Sequence, residues 1–268
     1  TSQMPSYKSL KYPPIREVKI PDVKTFVLPN GMKVYMLPNH ELPVISGFAM
    51  VRTGNLFETK DKIGLAGITG SVMRTGGTKT RTGDEINEQL ENIAASVESS
   101  IGETNGRVGF NCLKENTDEV LSVFKDVLIS PEFRQDKLDL EKTREKASIA
   151  RRNDDPGGIV RREFANILYG RDNPYGWSQE YEHVDRIVRE DLVKWHQRYF
   201  FPKNTVLAVY GDFNEADMRS KLEKLFSDWT VTQADVPAFP QPVTKAQPGL
   251  YLAEKDDVNQ TTFRIGHL

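Results

Sequence analysis

The stretch Ile63-Gly64-Leu65-Ala66-Gly67-Ile68-Thr69-Gly70-Ser71-Val72-Met73 decides how the rest of this chain is read. It follows an apolar segment, Val44 to Val51, and precedes a Gly/Thr-rich loop, Thr75 to Thr82. Leu65, Ile68 and Val72 recur at helical spacing, which predicts a short buried helix. The three glycines are out of character, since each costs about 1 kcal/mol against alanine in a helix. Something other than helix propensity shaped this segment.

Upstream, residues 1–22 read as an extended arm, because Pro5, Pro13, Pro14 and Pro21 oppose helix. Phe26-Val27-Leu28, the turn Pro29-Asn30-Gly31 and Met32 to Leu37 read as a hairpin; Asn-Gly between two apolar runs is a strong signal for one. Val44 to Arg52 is nearly continuous in apolar residues and reads as a central, covered strand.

Downstream, Thr82-Gly83-Asp84-Glu85 is a capping box that opens a helix with Ile86, Leu90 and Ile93 on one face. Ser96 to Ser100 and Arg107 to Leu113 read as two strands joined by a hairpin loop. Helices are expected from Thr117 to Leu128, from Ser130-Pro131-Glu132 to about Asn153, from Ile159 to Tyr169 and from Arg189 to Tyr199. Val206 to Tyr210 is a strand, and Glu215 to Phe226 a helix. Residues 230–248, with Pro237, Pro240, Pro242 and Pro248, read as a linker. Leu250 to Leu252 and Thr262 to Ile265 read as strands opening a further unit, 249–268. This order predicts an α+β fold over residues 23–229, a mostly antiparallel sheet with helices packed on one face.

Composition narrows the function. The formal net charge of −2, with 36 Lys+Arg nearly balancing 38 Asp+Glu and no basic run, does not suggest nucleic-acid binding. No run of about 18 apolar residues offers a membrane span. The single Cys112 makes no internal disulfide and reads as a small buried residue. The four histidines, His40, His183, His196 and His267, are not paired at metal-ligand spacing. His40 reads as a turn residue, His183 as a cap or surface residue, and His196 as packed. Arg144, Lys146, Arg151, Arg152, Arg161 and Arg162 form a basic face that reads as solvated or as a subunit contact.

Several motifs, in order, resemble the N-terminal half of the insulinase/pitrilysin family of zinc peptidases, in its bacterial and mitochondrial-processing-peptidase branch. They are Leu28-Pro29-Asn30-Gly31-Met32-Lys33-Val34; Val51-Arg52-Thr53-Gly54 with Glu58 and Gly64-Leu65-Ala66; Asn173-Pro174-Tyr175-Gly176; and Asp191-Leu192 through His196, Tyr199, Pro202 to Asn204 and Val206 to Asp212. The resemblance implies one half of a duplicated clamshell, and the chain reads as a fragment or first half of such a protein. It also implies an inverted zinc motif, H-x-x-E-H, directly after Gly-Leu-Ala, in which two histidines hold the metal and the glutamate activates water. Here those three positions are Gly67, Gly70 and Ser71.

The family's third ligand, a glutamate about eighty residues on, falls at Ser148, or at Ala147 with a one-residue slip. Glu141 matches a supporting glutamate two turns earlier. No zinc and no other cofactor is therefore expected. By the same resemblance, unfolded peptide is held by strand addition to Ser96, Val97, Glu98 and Ser99 within Ala95 to Ser100. An ordinary edge strand blunted by Glu98 is the other reading of that segment. The partner would be a zinc-competent homologous subunit or the protein's own C-terminal half, where the family's substrate-orienting Arg/Tyr pair lies.

Three functions follow from these readings: the non-catalytic half of a peptidase, a scaffold that kept the fold without proteolysis, and an active zinc peptidase with unusual ligands. Compartment is open; a bacterial periplasmic location fits if a signal peptide was removed.

Overall fold

The computed structural model describes residues 7, 11–14, 17, 22–242 and 248–267. Most of the expected arm, 1–22, and residues 243–247 of the expected linker lie outside the described residues. Among the described residues no helix is long and apolar enough to cross a membrane.

The hairpin signal is realised as β1 (Lys24–Val27) and β2 (Lys33–Pro38), followed by β3 (Val44–Arg52). Then come α1 (Leu65–Thr75), α2 (Gly83–Asn92), β4 (Ser96–Ile101), β5 (Asn105–Leu113) and α3 (Thr117–Ile129). Four more helices, α4 (Gln135–Arg151), α5 (Pro156–Tyr169), α6 (Tyr181–Arg186) and α7 (Arg189–Tyr199), precede β6 (Thr205–Gly211) and α8 (Glu215–Leu225). The strands form one sheet in the order β1-β2-β6-β3-β5-β4. Every neighbouring pair is antiparallel except β2 with β6, which run parallel. The fold is thus α+β, with a mostly antiparallel sheet.

Strand alternation sends one set of side chains to the helices. Val34, Met36, Ala49, Val51, Val97, Val108, Phe110, Leu207 and Val209 are all buried there, under Ile68 and Val72 of α1, Phe124 of α3 and Leu222 of α8. The other face is open. β3 is central, as expected, but it is covered on one face only: Met50 is 39% exposed.

Local chemistry corrects the expected helix start at Ser130-Pro131-Glu132. Pro131 instead bridges Thr78, and Phe133, buried in the core, takes φ 52°. That left-handed residue interrupts helical backbone, so α4 begins only at Gln135. Arg189 fixes the turn by donating to the carbonyls of Phe133 (3.0 Å) and Glu132 (2.8 Å). Asp154 to Gly158 both ends α4 and starts α5, with the Asp155 carboxylate accepting from Gly157 N (3.1 Å) and Gly158 N (2.8 Å).

The strands expected at 250–252 and 262–265 are not formed. A strand needs a ladder partner, and Leu250 and Ile265 are instead 87% and 97% exposed. Residues 230–242 have no regular structure, yet they are not a free tether. Arg198 donates to the carbonyls of Ala234 and Asp235, Arg52 donates to that of Pro237, and Phe239 stacks on Phe57 at 4.7 Å.

Candidate functional site

Helix α1 enters its site through an anchored N-terminus. Gly64, at φ 98°, turns the chain into the helix beside the Gln179 side chain. Glu58, buried, accepts from the backbone N–H of Gly64 (2.9 Å) and of Ala66 (2.7 Å). A carboxylate suits this end, because the first N–H groups of a helix lack partners and carry partial positive charge. Burial nevertheless pushes the Glu58 acid up to about 7, against the two N–H donors that favour its charged form.

The positions of the family's zinc motif then fall on different surroundings. Gly67 is exposed, and a Cβ there would meet nothing within 4 Å. Gly70 is the reverse: a Cβ would lie 2.3 Å from the nitrogen of Ile101 and 2.7 Å from the carbonyl carbon of Ser100, both on β4. Ser71 is half-buried, and Ser99 Oγ donates to the Gly70 carbonyl at 2.6 Å. Two of the three glycines thus have a structural cause, a left-handed φ at Gly64 and a close backbone approach at Gly70.

These residues do not fit a zinc ion. Gly67 offers no donor, position 70 has no room for a glutamate, and Ser71 is a poor ligand. On α4, Ser148 and Ala147 are exposed and carry no carboxylate. Glu141 is buried and lies 3.4 Å from Arg144 of the next turn. Glu145, which the sequence did not single out, is half-buried on the same side of α4; burial, then the Glu141 charge, pushes its acid up. Among the described residues no group of three His, Cys, Asp or Glu could hold a metal ion.

The histidines are spent elsewhere. His40 pairs with Asp212 at 2.5 Å on the surface. His183 Nδ1 accepts from Glu180 N at 2.9 Å as a helix cap. His196 donates from Nε2 to the Leu128 carbonyl (2.8 Å) and stacks on Phe200 at 4.6 Å. Burial holds its imidazole down at about 4, so it is neutral at pH 7. Cys112 is buried and free, with its thiol pushed up to about 11 by burial. The basic face is largely paired, Arg152 with Glu180 and Lys146 with Asp185.

Strand β4 lies at the sheet edge. Gly102 N donates to Asn105 O (2.9 Å), and antiparallel alternation follows from that bond. Ser96, Glu98 and Ser100 direct their backbone groups to β5, whereas Val97, Ser99 and Ile101 direct theirs outward. The outward edge is partly used already. Arg74, buried on α1, donates from Nε to the Val97 carbonyl (2.7 Å) and from Nη2 to Asn87 (2.7 Å). No sequence signal pointed to Arg74, since an arginine on a helix reads as a solvated residue.

Two family models match the chain. Residues 44–175 match that of insulinase (peptidase family M16), and residues 186–267 match that of the peptidase M16 inactive domain. An uncharacterized zinc protease of Rickettsia bellii is 23% identical over 89% of this chain and 57% of its own length. Zinc protease PqqE of Helicobacter pylori is 24% identical over 92% of this chain and 57% of its own length. The chain therefore spans little more than half the length of these relatives. The crystal structure of a peptidase M16 inactive domain from Pseudomonas fluorescens shares the fold at a TM-score of 0.76, with 20% identity over 83% of this chain and 54% of that one.

Proposed function

The chain belongs to the insulinase family, peptidase family M16, and on that premise we propose that it is a zinc-less half that holds unfolded peptide for a zinc-bearing partner. The observation that carries this reading is the contact at Gly70. A glutamate there, the family's water-activating base, would have to displace the backbone of β4. Gly67 and Ser71 remove the metal from the same helix. What the chain retains is a sheet edge whose outward backbone groups at Ser99 are framed by the side chains of Ser96, Glu98 and Ser100, while Gly70 covers the nitrogen of Ile101. Such an edge binds extended peptide through main-chain hydrogen bonds and largely ignores sequence. The partner is a zinc-competent homologous subunit or the protein's own C-terminal half. No step of peptide hydrolysis is assigned to residues of this chain.

The test is metal analysis of the full-length protein, alone and mixed with a zinc-competent homologue, together with cleavage of an unfolded peptide. No zinc and no cleavage alone, with cleavage gained in the mixture, supports the holding role. One zinc per chain with cleavage alone overturns it. A scaffold role is the second reading, and the Arg74 guanidinium on the Val97 carbonyl favours it, because that bond occupies part of the edge. No zinc and no effect on the homologue would select it.

A further inference from the structure

Resting on the peptide-holding role, we propose that the open face of the sheet, centred on Arg107 above Phe48, selects acidic and apolar stretches of the unfolded peptide. The strand register sets Lys33, Val206, Met50 and Arg107 in one row across the sheet, with Phe48 and Gly109 in the next. Gly109 has no side chain, so Arg107 lies flat across it: its Nε is 3.6 Å from where a Gly109 Cβ would be. Its guanidinium carbon then sits 4.0 Å from the Phe48 ring centroid. Met50, Val206 and Tyr210 are 39%, 36% and 50% exposed on the same face.

The charge on this face is unbalanced. Lys33 lies over Tyr35 at 4.9 Å, and among the described residues neither it nor Arg107 has a carboxylate partner. Elsewhere the cations of this net −2 chain are extensively paired, as Lys62 is with Asp191 and Arg81 with Asp126. Glu98, on the rim strand, is the carboxylate that shares the face among the described residues. A guanidinium stacked on a ring keeps its N–H edge free to take a carboxylate in a two-pronged bond. The apolar strip beside it takes aliphatic or aromatic side chains. With a peptide paired to β4, Arg107 stands on the second strand from that edge and Lys33 on the fifth, so it is the residues flanking the paired segment that cross this face.

Three labelled unfolded peptides of equal length and apolar content, carrying Glu, Lys or Gln, are titrated with the full-length protein and followed by fluorescence anisotropy. At low ionic strength the Glu peptide binds about tenfold tighter than the Lys peptide, and salt narrows the gap. Arg107→Gln weakens the Glu peptide about fivefold and leaves the Gln peptide unchanged; Lys33→Gln acts in the same direction. Circular dichroism melts check that both variants fold. Equal binding of Glu and Lys peptides, or an equal effect of Arg107→Gln on all three, overturns the proposal while the holding role stands on the Gln peptide. Binding of none of the three overturns both. A dimer that Arg107→Gln dissociates in size-exclusion chromatography assigns the face to a second copy and also overturns it.

Discussion

Gly70 of α1 rests against the backbone of Ile101 on β4, so close that a Cβ would sit 2.3 Å from the Ile101 nitrogen. Gly67, one turn earlier, faces open space. Substitution should therefore act in opposite directions at the two glycines. Gly67→Ala relieves the entropic cost of glycine in a helix and raises stability by about 0.5–1 kcal/mol. Gly70→Ala gains the same propensity but forces helix and strand apart, costing a net of about 1–3 kcal/mol. Urea unfolding of the two variants measures both. The triple change Gly67→His, Gly70→Glu, Ser71→His should lower the melting temperature without giving stoichiometric zinc. Zinc at one per chain would show that the gap at Gly70 opens readily.

Stability against pH should reveal two buried groups pulling in opposite directions. Glu58 has its acid raised from 4.5 to about 7, so the folded state holds that proton more tightly than the unfolded state does. Its contribution is full below pH 4.5 and is lost as pH rises to 7. His196 is lowered from 6.5 to about 4, so its contribution is full above pH 6.5 and is lost as pH falls to 4. Each is worth at most about 3 kcal/mol, and between pH 4.5 and 6.5 they offset one another. Glu58→Gln should make the protein lose stability as pH falls through that window. His196→Gln should make it gain stability as pH falls from 7 to 4.5. Chemical denaturation at several pH values decides the matter; identical slopes in wild type and both variants would contradict it.

What the sequence made legible was what local pattern and spacing encode. Val44 to Arg52 and Arg189 to Tyr199 were bounded correctly because an apolar run between turns and a 3.6-residue apolar period need no tertiary information. The box at Thr82 and Glu85 is formed as read, with Glu85 N bonded to Thr82 Oγ1. The α1 glycines announced an anomaly, but its cause at Gly70 lies on a strand some thirty residues away. The parallel pairing of β2 with β6 was invisible for the same reason, since the elements from β3 to α7 intervene between them. Pro131 carried a helix-start signal that lost to burial of Phe133 and to the clamp of Arg189 on its carbonyl.

Arg74 offers a way to separate peptide holding from scaffolding. Its Nε bond to Val97 O occupies an outward acceptor of the edge strand. Arg74→Met keeps much of the side-chain volume and removes the donor, leaving Val97 O and Asn87 without that partner. The protein should lose about 2–4 kcal/mol in urea unfolding, because a buried charged hydrogen bond is broken. If the edge receives peptide, the freed acceptor should tighten binding of an uncharged extended peptide severalfold. Lower stability with no change in peptide binding would mean that Arg74 only ties α1 to the sheet.

The segment 234–239 should behave as a strap and not as a loose tether. Phe239 continues an aromatic stack through Phe57 (4.7 Å) and Tyr199 (5.6 Å from Phe57) to Trp195, and Arg52 lies over the Phe239 ring at 5.0 Å. Arg198 holds two carbonyls of the same segment. Phe239→Ala removes one stacked ring from a half-exposed site and should cost about 1–2 kcal/mol, a fall of about 2–6 °C in melting temperature. Arg198→Ala should matter less to global stability, because its bonds are exposed to water. Both variants should speed hydrogen exchange and proteolytic cleavage within 230–242 while leaving β3 and β5 protected. Cleavage there as fast in wild type as in the variants would show that these contacts do not hold the segment, and that its course along the sheet domain is set elsewhere.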